Sequence, residues 1–193
     1  MEKIILVGGG GHCKSVIDVI ELQNRYKVAG IVDKQEKMGQ NILGYTVIAT
    51  DNDLPELVKE YSNFHISLGF IKNNIRRVFL YNELCSLGAN FPTIISPLSY
   101  ISKYAKTGKG SIIMHYAQIG PDSIVGENVI INSKALIEHD CCIESNCHIA
   151  TGAIINGDVF VGANSFIGSG SVVVNSTKVP TNTFIKANSL FIK

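Results

Sequence analysis

Residues 131–149 read INSKALIEHDCCIESNCHI, and an isoleucine occupies every sixth position of this stretch. The same spacing runs from Ile95 to Ile185, where every sixth residue is Ile or Val with the exception of Thr107. A small or compact residue follows four positions after each of these, as Ala135 does after Ile131. Neither a helix, with a period of about 3.6, nor a simple strand, with a period of about 2, requires this spacing. A fixed short repeat of this kind is typical of a β-helical solenoid.

Each group of six residues is expected to form one side of a triangular prism. Its apolar first residue points inward and stacks on the residue eighteen positions later, and its small fifth residue fits beside the corner. Successive coils then pair as parallel strands roughly 4.8 Å apart. The inward Ile and Val side chains alone do not offset the entropy lost in ordering so long a segment. We therefore expect the outer faces to pack against other copies of the chain.

Length and composition limit the functions that the chain can have. It has 193 residues and a formal net charge of +1, with no basic stripe, so we expect two small domains and no nucleic-acid partner. Met1 leads into a short strand rather than a signal peptide, and no apolar run approaches the ~20 residues of a membrane span. The five cysteines contain no CxxC pair. We expect a cytoplasmic protein with reduced thiols, in which Cys141 and Cys147 pack in the prism core.

The first ninety residues follow a different pattern. Residues 3–7 form a predicted strand, which is followed by Gly8-Gly9-Gly10-Gly11-His12, a helix and a second strand over residues 27–32. Asp53 is the expected N-cap of a helix over residues 54–61, a third strand covers 64–68, and a longer helix covers 73–87. This alternation predicts a small α/β domain with a parallel sheet.

The loops at the carboxyl ends of these strands should line one crevice. Glycine there lets a phosphate approach backbone N–H groups at a helix start, and Asp33 stands about twenty residues further on, where it can bind a ribose. Because the sixth position of the motif is Cys13 rather than glycine, we expect this crevice to bind a mononucleotide, such as a nucleoside diphosphate. A tight turn without a ligand, with Asp33 as a turn residue, is the alternative. The predicted nucleotide-sugar site consists of Gly10, Gly11, His12, Asp33, Gly69 and Asn74.

Within the repeats, His139 and Asp140 are the candidate catalytic residues. Ile137 points inward, so His139, two residues later, should lie on the outer surface. Histidine has an ordinary pKa near 6.5, which suits general-base chemistry, and a neighbouring carboxylate fixes its tautomer and stabilises the protonated form. The alternative is an exposed histidine in an acidic patch. His115, His139 and His148 show no metal-ligand spacing, so no metal is expected.

Four landmarks together carry a family resemblance: ILVGGGGH at residues 5–12, IVD at 31–33, SLG at 67–69 with NIR at 74–76, and IEHD at 137–140. Over essentially its whole length the chain resembles bacterial nucleotide-sugar N-acetyltransferases and sialic-acid O-acetyltransferases with a left-handed β-helix. The resemblance implies acetyl-CoA as cosubstrate and a homotrimer with its active sites between neighbouring prisms.

The resemblance also implies roles for individual residues. His139 is the general base and Asp140 raises its basicity, while Asn132 and His148 line the acceptor site. Gly157 offers a backbone N–H to the acetyl carbonyl, and Ala187 belongs to the acetyl-CoA site. Many relatives carry a Gly-x-Pro-Ala-Lys segment near the end of the prism that helps to hold coenzyme A. This chain instead reads KANSLF at residues 186–191, which lacks the glycine, proline and lysine of that pattern.

The predicted architecture is therefore a small Rossmann-like parallel-sheet α/β domain over residues 1–92, followed by an all-β left-handed parallel β-helix over residues 93–193. The predicted activity is acetyl-CoA-dependent N-acetylation of a nucleotide-linked 4-amino-sugar, with a UDP-4-amino-dideoxyhexose as the first candidate. O-acetylation of a sialic or nonulosonic acid is one alternative, and a non-catalytic solenoid scaffold is another. The sequence leaves the sugar and the nucleotide base open, and a role in glycan biosynthesis rests on the resemblance.

Overall fold

The computed structural model describes residues 1–192, which form two compact units. The α/β unit contains Met1–Gly69 and Ile75–Pro92. The β-helix unit begins at Thr93 and also includes Phe70–Asn74, a segment that we call the strap. No helix in the described part of the chain is long and apolar enough to cross a membrane.

The α/β unit is built on a five-stranded sheet with the strand order β3-β4-β2-β1-β5. Strands β4, β2, β1 and β5 are parallel, and the short β3 pairs with β4 in the antiparallel direction. The elements are β1 (Glu2–Val7), α1 (Gly11–Gln23), β2 (Tyr26–Val32), β3 (Asn41–Ile42), β4 (Tyr45–Ala49), α2 (Leu54–Glu60), β5 (Asn63–Ile66) and α3 (Ile75–Ser86), with single 3-10 turns at Gln35–Lys37 and Asp51–Asp53.

Burial explains why these segments are strands and helices. The side chains of Ile4, Ile5 and Leu6 in β1 are completely buried, as expected for a parallel sheet that is covered on both faces. On α1 the predicted inner positions, Val16 and Ile17 among them, are buried as well. The predicted parallel sheet is therefore confirmed.

Three local features differ in detail from the predictions. Asp53 is the N-cap residue of α2, as predicted, but its side chain makes no capping bond to that helix. Its carboxylate instead accepts hydrogen bonds from the N–H and hydroxyl of Thr50, both at 2.8 Å, and so caps the preceding 3-10 turn. The helix predicted over residues 73–87 begins at Ile75 because the preceding residues belong to the strap. The hairpin of β3 and β4 was not predicted. Its turn contains Leu43 and Gly44 with φ of 49° and 91°, and a leucine there gives no turn signal.

The β-helix unit consists of short parallel strands in three sheets. In chain order these are β6 (Ile94–Ile95), β7 (Tyr100–Ile101), β8 (Lys106–Thr107), β9 (Ile112–Ile113), β10 (Gln118–Ile119), β11 (Ile124–Val125), β12 (Ile130–Ile131), β13 (Leu136–Ile137), β14 (Cys142–Ile143), β15 (His148–Ile149), β16 (Ile154–Ile155), β17 (Phe160–Val161), β18 (Phe166–Ile167), β19 (Val172–Val173), β20 (Lys178–Val179), β21 (Phe184–Ile185) and β22 (Leu190–Phe191). Every third strand belongs to the same sheet, so β6, β7 and β8 begin the first, second and third sheets.

Register in this unit follows the repeat of the sequence. Each strand pairs with the strand eighteen residues later, as Ile131 does with Ile149. The predicted inward residues form one continuous core, which includes Cys141 and Cys147. Burial raises the pKa of the Cys147 thiol to about 12, which agrees with a packing role. This arrangement is the predicted left-handed parallel β-helix, and its spacing continues past Ile185 to Phe191, which packs against the core.

Candidate active site

In the α/β unit, β1 lies between β2 and β5, so the loops after β1 and β5 flank a crevice at the carboxyl edge of the sheet. A methyl group on Gly69 would lie 3.2 Å from Cβ of His12, so these two residues are in contact. Gly10 is the N-cap of α1 and Gly11 its first residue, and a methyl group on either would meet no atom within 4 Å. The structure thus brings four predicted nucleotide-site residues together, and the two glycines face open space.

The other glycines of the motif have a packing role. Gly8 has a φ of 109°, in the left-handed region that favours glycine. A methyl group on Gly9 would lie 2.6 Å from Cδ1 of Ile42 and 2.9 Å from Oδ2 of Asp33. The tight-turn interpretation therefore applies to Gly8 and Gly9, and the two glycines that follow are free for a ligand.

Asp33 ties this loop to the end of β2. Its carboxylate accepts hydrogen bonds from the N–H of Gly9 at 2.7 Å, the N–H of Lys34 at 2.8 Å and Nζ of Lys37 at 2.8 Å. Burial by itself would raise the pKa of Asp33, but these bonds more than offset it and lower the pKa below the ordinary value. Asp33 is therefore a charged group held in one orientation at the edge of the crevice.

A cavity of about 270 Å³ opens beside Asp33. The loop after β4 forms part of its wall, and Nη2 of Arg76 donates a 2.7 Å hydrogen bond to Asp51 there. The lining residues are Asp33, Lys34, Gln35, Thr50, Asp51, Asn52 and Arg76. Sequence reasoning missed the contribution of the β4 loop, because β4 itself was not predicted. The available signal was the run YTVIA at residues 45–49, which is rich in aromatic and β-branched residues and follows the turn residue Gly44.

Asn74, which the sequence groups with the crevice loops, lies in the β-helix unit. Its side-chain amide donates to the backbone carbonyl of Asn146 at 3.1 Å and to Oδ1 of Asn164 at 3.0 Å. These bonds fix the end of the strap against two turns of the β-helix. The structure therefore gives Asn74 an anchoring contact within the β-helix unit.

His139 and Asp140 occupy the exposed turn between β13 and β14. Nδ1 of His139 lies 2.6 Å from Oδ2 of Asp140, and both side chains are more than half exposed. Because a carboxylate only accepts, Nδ1 carries the proton, which leaves Nε2 unprotonated in the neutral ring. The hydrogen bond to Asp140 raises the pKa of His139, burial opposes this, and the charges of Asp140, Glu138 and Asp158 also raise it.

The His139 ring lies directly over Gly157, one coil later. A methyl group at Gly157 would be 2.6 Å from Cε1 and 2.7 Å from Nε2 of the ring, so only glycine leaves room for this ring position. The neighbouring N–H groups of Asn156 and Asp158 bond to carbonyls of adjacent coils, at 3.1 and 3.0 Å. Among residues 1–192 the Gly157 N–H donates no backbone hydrogen bond. This N–H is therefore available beside the ring of His139.

Asn132 and His148 form a second pair. Nδ1 of His148 lies 2.8 Å from the carbonyl oxygen of Phe70 in the strap, and Nε2 lies 3.2 Å from Nδ2 of Asn132. Since the carbonyl only accepts, Nδ1 donates and Nε2 accepts from the amide. His148 is only 7% exposed and packs edge-on against Phe70 and Phe166. His148 is thus buried, and it links the half-buried Asn132 to the strap.

Within one chain the predicted residues fall at separate places on the prism. His139, Asp140 and Gly157 lie at the corner between the second and third sheets, whereas His148 is on the first sheet, which forms the opposite side. Ala187 is exposed at the corner between the first and second sheets. No group of three or more metal-binding side chains occurs among residues 1–192.

Comparisons with known proteins follow the same division into two units. Residues 3–84 match the family described as the PglD N-terminal domain, and residues 104–139 match the bacterial transferase hexapeptide (six repeats) family. A sequence comparison with curated proteins gives no match.

Solved structures match the whole chain. The acetyltransferase domain of PglB from Neisseria gonorrhoeae, in complex with acetyl coenzyme A, is 28% identical with a TM-score of 0.90, over 99% of this chain and 91% of that one. A histidine-to-asparagine mutant of perosamine N-acetyltransferase from Caulobacter crescentus, in complex with CoA and GDP-perosamine, is 27% identical with a TM-score of 0.93, over 100% of this chain and 90% of that one. The corresponding histidine-to-alanine mutant gives the same values. These matches confirm the predicted resemblance to nucleotide-sugar acetyltransferases.

Proposed function

We propose that this chain is an acetyl-CoA-dependent sugar N-acetyltransferase whose acceptor is a nucleotide-linked 4-amino-sugar, with a UDP-4-amino-dideoxyhexose as the first candidate. The observation that carries the proposal is the position of the His139–Asp140 pair over Gly157, which combines a base with a free backbone N–H. The similar structures support the donor and the acceptor class, since they contain acetyl coenzyme A, or CoA together with GDP-perosamine.

In the proposed reaction Nε2 of His139 removes a proton from the acceptor amine as its nitrogen attacks the thioester carbonyl. Asp140 holds the Nδ1 proton and stabilises the imidazolium that forms. The oxyanion of the tetrahedral intermediate accepts a hydrogen bond from the N–H of Gly157. When the C–S bond breaks, the imidazolium returns its proton to sulfur, so the products are the amide and CoA thiol.

The α/β unit contains the proposed binding site for the nucleotide. The open glycines Gly10 and Gly11 stand at the positive end of α1, which suits the diphosphate. The carboxylates of Asp33 and Asp51 border the cavity beside it and suit the hydroxyl groups and N–H groups of a nucleoside rather than its phosphates.

We also propose that the active molecule is a homotrimer. In one chain Asn132 and His148 lie on the side of the prism opposite His139, so only a second copy could bring such a side close to the His139 corner. Large apolar side chains on the outer faces support this assembly, because they would be covered in it. Tyr100, Tyr116, Ile124 and Leu190 are 64%, 59%, 48% and 63% exposed in the single chain.

The charges around His139 favour an amine over a sialic acid. Glu138, Asp140 and Asp158 all act on His139 electrostatically. A protonated amino-sugar is attracted to such a neighbourhood and loses its ammonium proton to solvent before the neutral amine attacks, whereas the carboxylate of a sialic acid is repelled. O-acetylation of a sialic acid is therefore the second candidate, and a non-catalytic scaffold is the third.

A thiol-release assay with acetyl-CoA tests the proposal. The acceptors are UDP- and GDP-linked 4-amino-sugars, free sialic acids and CMP-sialic acid. We expect turnover with an amino-sugar nucleotide, and a loss of roughly 10²–10⁴ in kcat for His139→Ala with an unchanged melting temperature. Turnover with sialic acids alone would establish O-acetylation. Absence of turnover, together with absence of thermal stabilisation by CoA, would favour the scaffold.

A further inference from the structure

A buried arginine lies behind the crevice of the α/β unit. Arg77, on α3, is only 2% exposed, and its Nη1 donates to the backbone carbonyls of Ile66 and, at 2.8 Å, of Leu68. These carbonyls belong to β5 and the loop after it, and β5 is the edge strand of the sheet. Burial lowers the pKa of Arg77 to about 9, so the guanidinium is still charged at neutral pH.

The two carbonyl contacts determine how the following peptide groups point. In a trans peptide the C=O and the next N–H point in opposite directions. Ile66 directs its carbonyl to Arg77, and accordingly the N–H of Ser67 points the other way and donates to Val7, the last residue of β1, at 2.9 Å. The carbonyl of Leu68 also points to Arg77. The N–H of Gly69 therefore points to the β1 side, beyond the end of β1.

That direction leads into the crevice. The chain leaves β1 at Val7 and enters the glycine-rich loop there, and Gly69 is in contact with His12 in the first turn of α1. The Gly69 N–H is therefore presented from one side of the crevice and the start of α1 from the other. Convergent backbone N–H groups of this kind form an anion-binding concavity.

We propose that Arg77 is a positioning residue for the diphosphate of the acceptor: by holding the carbonyls of Ile66 and Leu68, it keeps the Gly69 N–H directed at the phosphates that bind at the start of α1. This inference rests on the proposed nucleotide-sugar function and identifies a residue that acts on binding without contacting the ligand.

His65, which precedes Ile66 on β5, is a second buried titratable residue in this region. It is fully buried, and burial, together with electrostatic effects of Arg77 and His12, holds its pKa well below the ordinary value. His65 thus stays neutral while Arg77 is charged. If Arg77 only stabilised the edge of the sheet, its variants would be less stable, and their affinity would not change more for one class of ligand than for another. A role in positioning predicts a loss confined to ligands that carry phosphate.

The variants Arg77→Lys and Arg77→Gln test the inference by calorimetry with UDP, GDP and the corresponding nucleosides. We expect Kd for the diphosphates to rise about five- to thirtyfold, while Kd for the nucleosides changes less than twofold. In the acetyl-transfer assay KM for the sugar nucleotide should rise and kcat should be unchanged. Equal losses for diphosphates and nucleosides would overturn the proposal.

Asn63→Ala is the matched control. Asn63 lies at the other end of β5 and its amide bonds to Glu2 and to the carbonyl of Lys3, so its loss should lower the melting temperature without changing either Kd. If the wild-type chain bound neither UDP nor GDP, the proposed nucleotide site would be wrong. Inorganic pyrophosphate, titrated into the same variants, would then decide the role of Arg77 separately.

A measurement on the wild-type chain tests the inference even if the Arg77 variants do not fold. In ¹⁵N-labelled protein titrated with inorganic pyrophosphate, the amide proton of Gly69 should shift downfield together with those of Gly10 and Gly11. The amide of Gly88, which bonds to the carbonyl of Cys85 after α3, serves as the internal control and should not move. A stationary Gly69 signal beside moving Gly10 and Gly11 signals would contradict the proposal.

Discussion

The two units of the molecule assemble their candidate sites in different ways. In the β-helix unit, His139 and Gly157 meet because they are one coil apart in a repeat of constant length. In the α/β unit, Gly9 meets Asp33 and His12 meets Gly69, across 24 and 57 residues, because strand order brings their loops together. A site in a solenoid is thus set by register along the chain, and a site at a sheet edge by topology.

The comparison also separates the proposed tasks. The β-helix site is exposed and contains a base whose pKa is raised by its neighbour, as chemistry on an incoming substrate requires. The α/β site contains a buried carboxylate with a lowered pKa, which is hydrogen-bonded to the glycine-rich loop, as binding requires. We expect substitutions in the first to change kcat and those in the second to change KM or stability.

Among variants that retain both His139 and Asp140, Gly157→Ala should produce the largest effect on activity. The added methyl group would displace the His139 ring, and a misplacement of about 1 Å at a reacting group costs up to ~10²-fold. We expect kcat in the thiol-release assay to fall roughly 10- to 100-fold, with a nearly normal melting temperature.

Gly162→Ala is the control for this variant. Its methyl group would lie 2.5 Å from the backbone nitrogen of Thr181, so it clashes with backbone rather than with a catalytic ring. We expect it to lower the free energy of unfolding by about 1–3 kcal/mol and to leave kcat of the folded protein unchanged. Full activity in Gly157→Ala would show that the ring position over this glycine is irrelevant to turnover.

Asp140→Asn should change the pH dependence of activity. Activity requires unprotonated Nε2 of His139, so kcat/KM should fall as the pH drops through the pKa of this residue, which the hydrogen bond to Asp140 raises. Removing the charge should move this acid limb to lower pH and reduce kcat roughly tenfold. Asparagine tolerates the φ of 60° found at this position, so the turn should survive. An acid limb that stays at the same pH would exclude Asp140 from this role.

Asp33 should give a smaller effect, visible as a pH dependence of stability. Its folded pKa is lowered, so its contribution is present above the unfolded pKa of about 3.9 and is lost as the pH falls through the folded value. The free energy of unfolding, measured in urea between pH 3 and pH 5, should therefore fall less steeply on acidification in Asp33→Asn than in the wild type. His139→Ala, in the other unit, should keep the wild-type slope. Equal slopes in all three proteins would contradict the contribution of Asp33.

Much of the β-helix unit could be predicted by counting residues. The repeat indicated the inward Ile and Val residues, the burial of Cys141 and the exposure of His139, and the structure agrees on all of them. Contact between His139 and Gly157 also follows from a stacking distance of eighteen residues. The buried bond from His148 to Phe70 could not be predicted, because a strap inserted from 78 residues away obeys no repeat.

In the α/β unit the sequence indicated the first crevice loops, but not the wall contributed by β4 or the role of Arg77. An arginine on an amphipathic helix is expected to be solvated, and its burial depends on edge-strand carbonyls that only the sheet order reveals. For the same reason the three hydrogen bonds of Asp33 could not be predicted from the sequence. Nothing in the sequence distinguishes the residues whose amide and ammonium groups donate these bonds.

The central claim is that one unit binds the nucleotide and the other transfers the acetyl group, and a single kinetic comparison tests it most directly. Asp33→Asn and His139→Ala are assayed side by side with acetyl-CoA and the best amino-sugar nucleotide. We predict that Asp33→Asn raises KM for the sugar nucleotide with little change in kcat, while His139→Ala lowers kcat by roughly 10²–10⁴ with little change in KM. Loss of kcat in Asp33→Asn, or wild-type kcat in His139→Ala, would contradict the division of tasks.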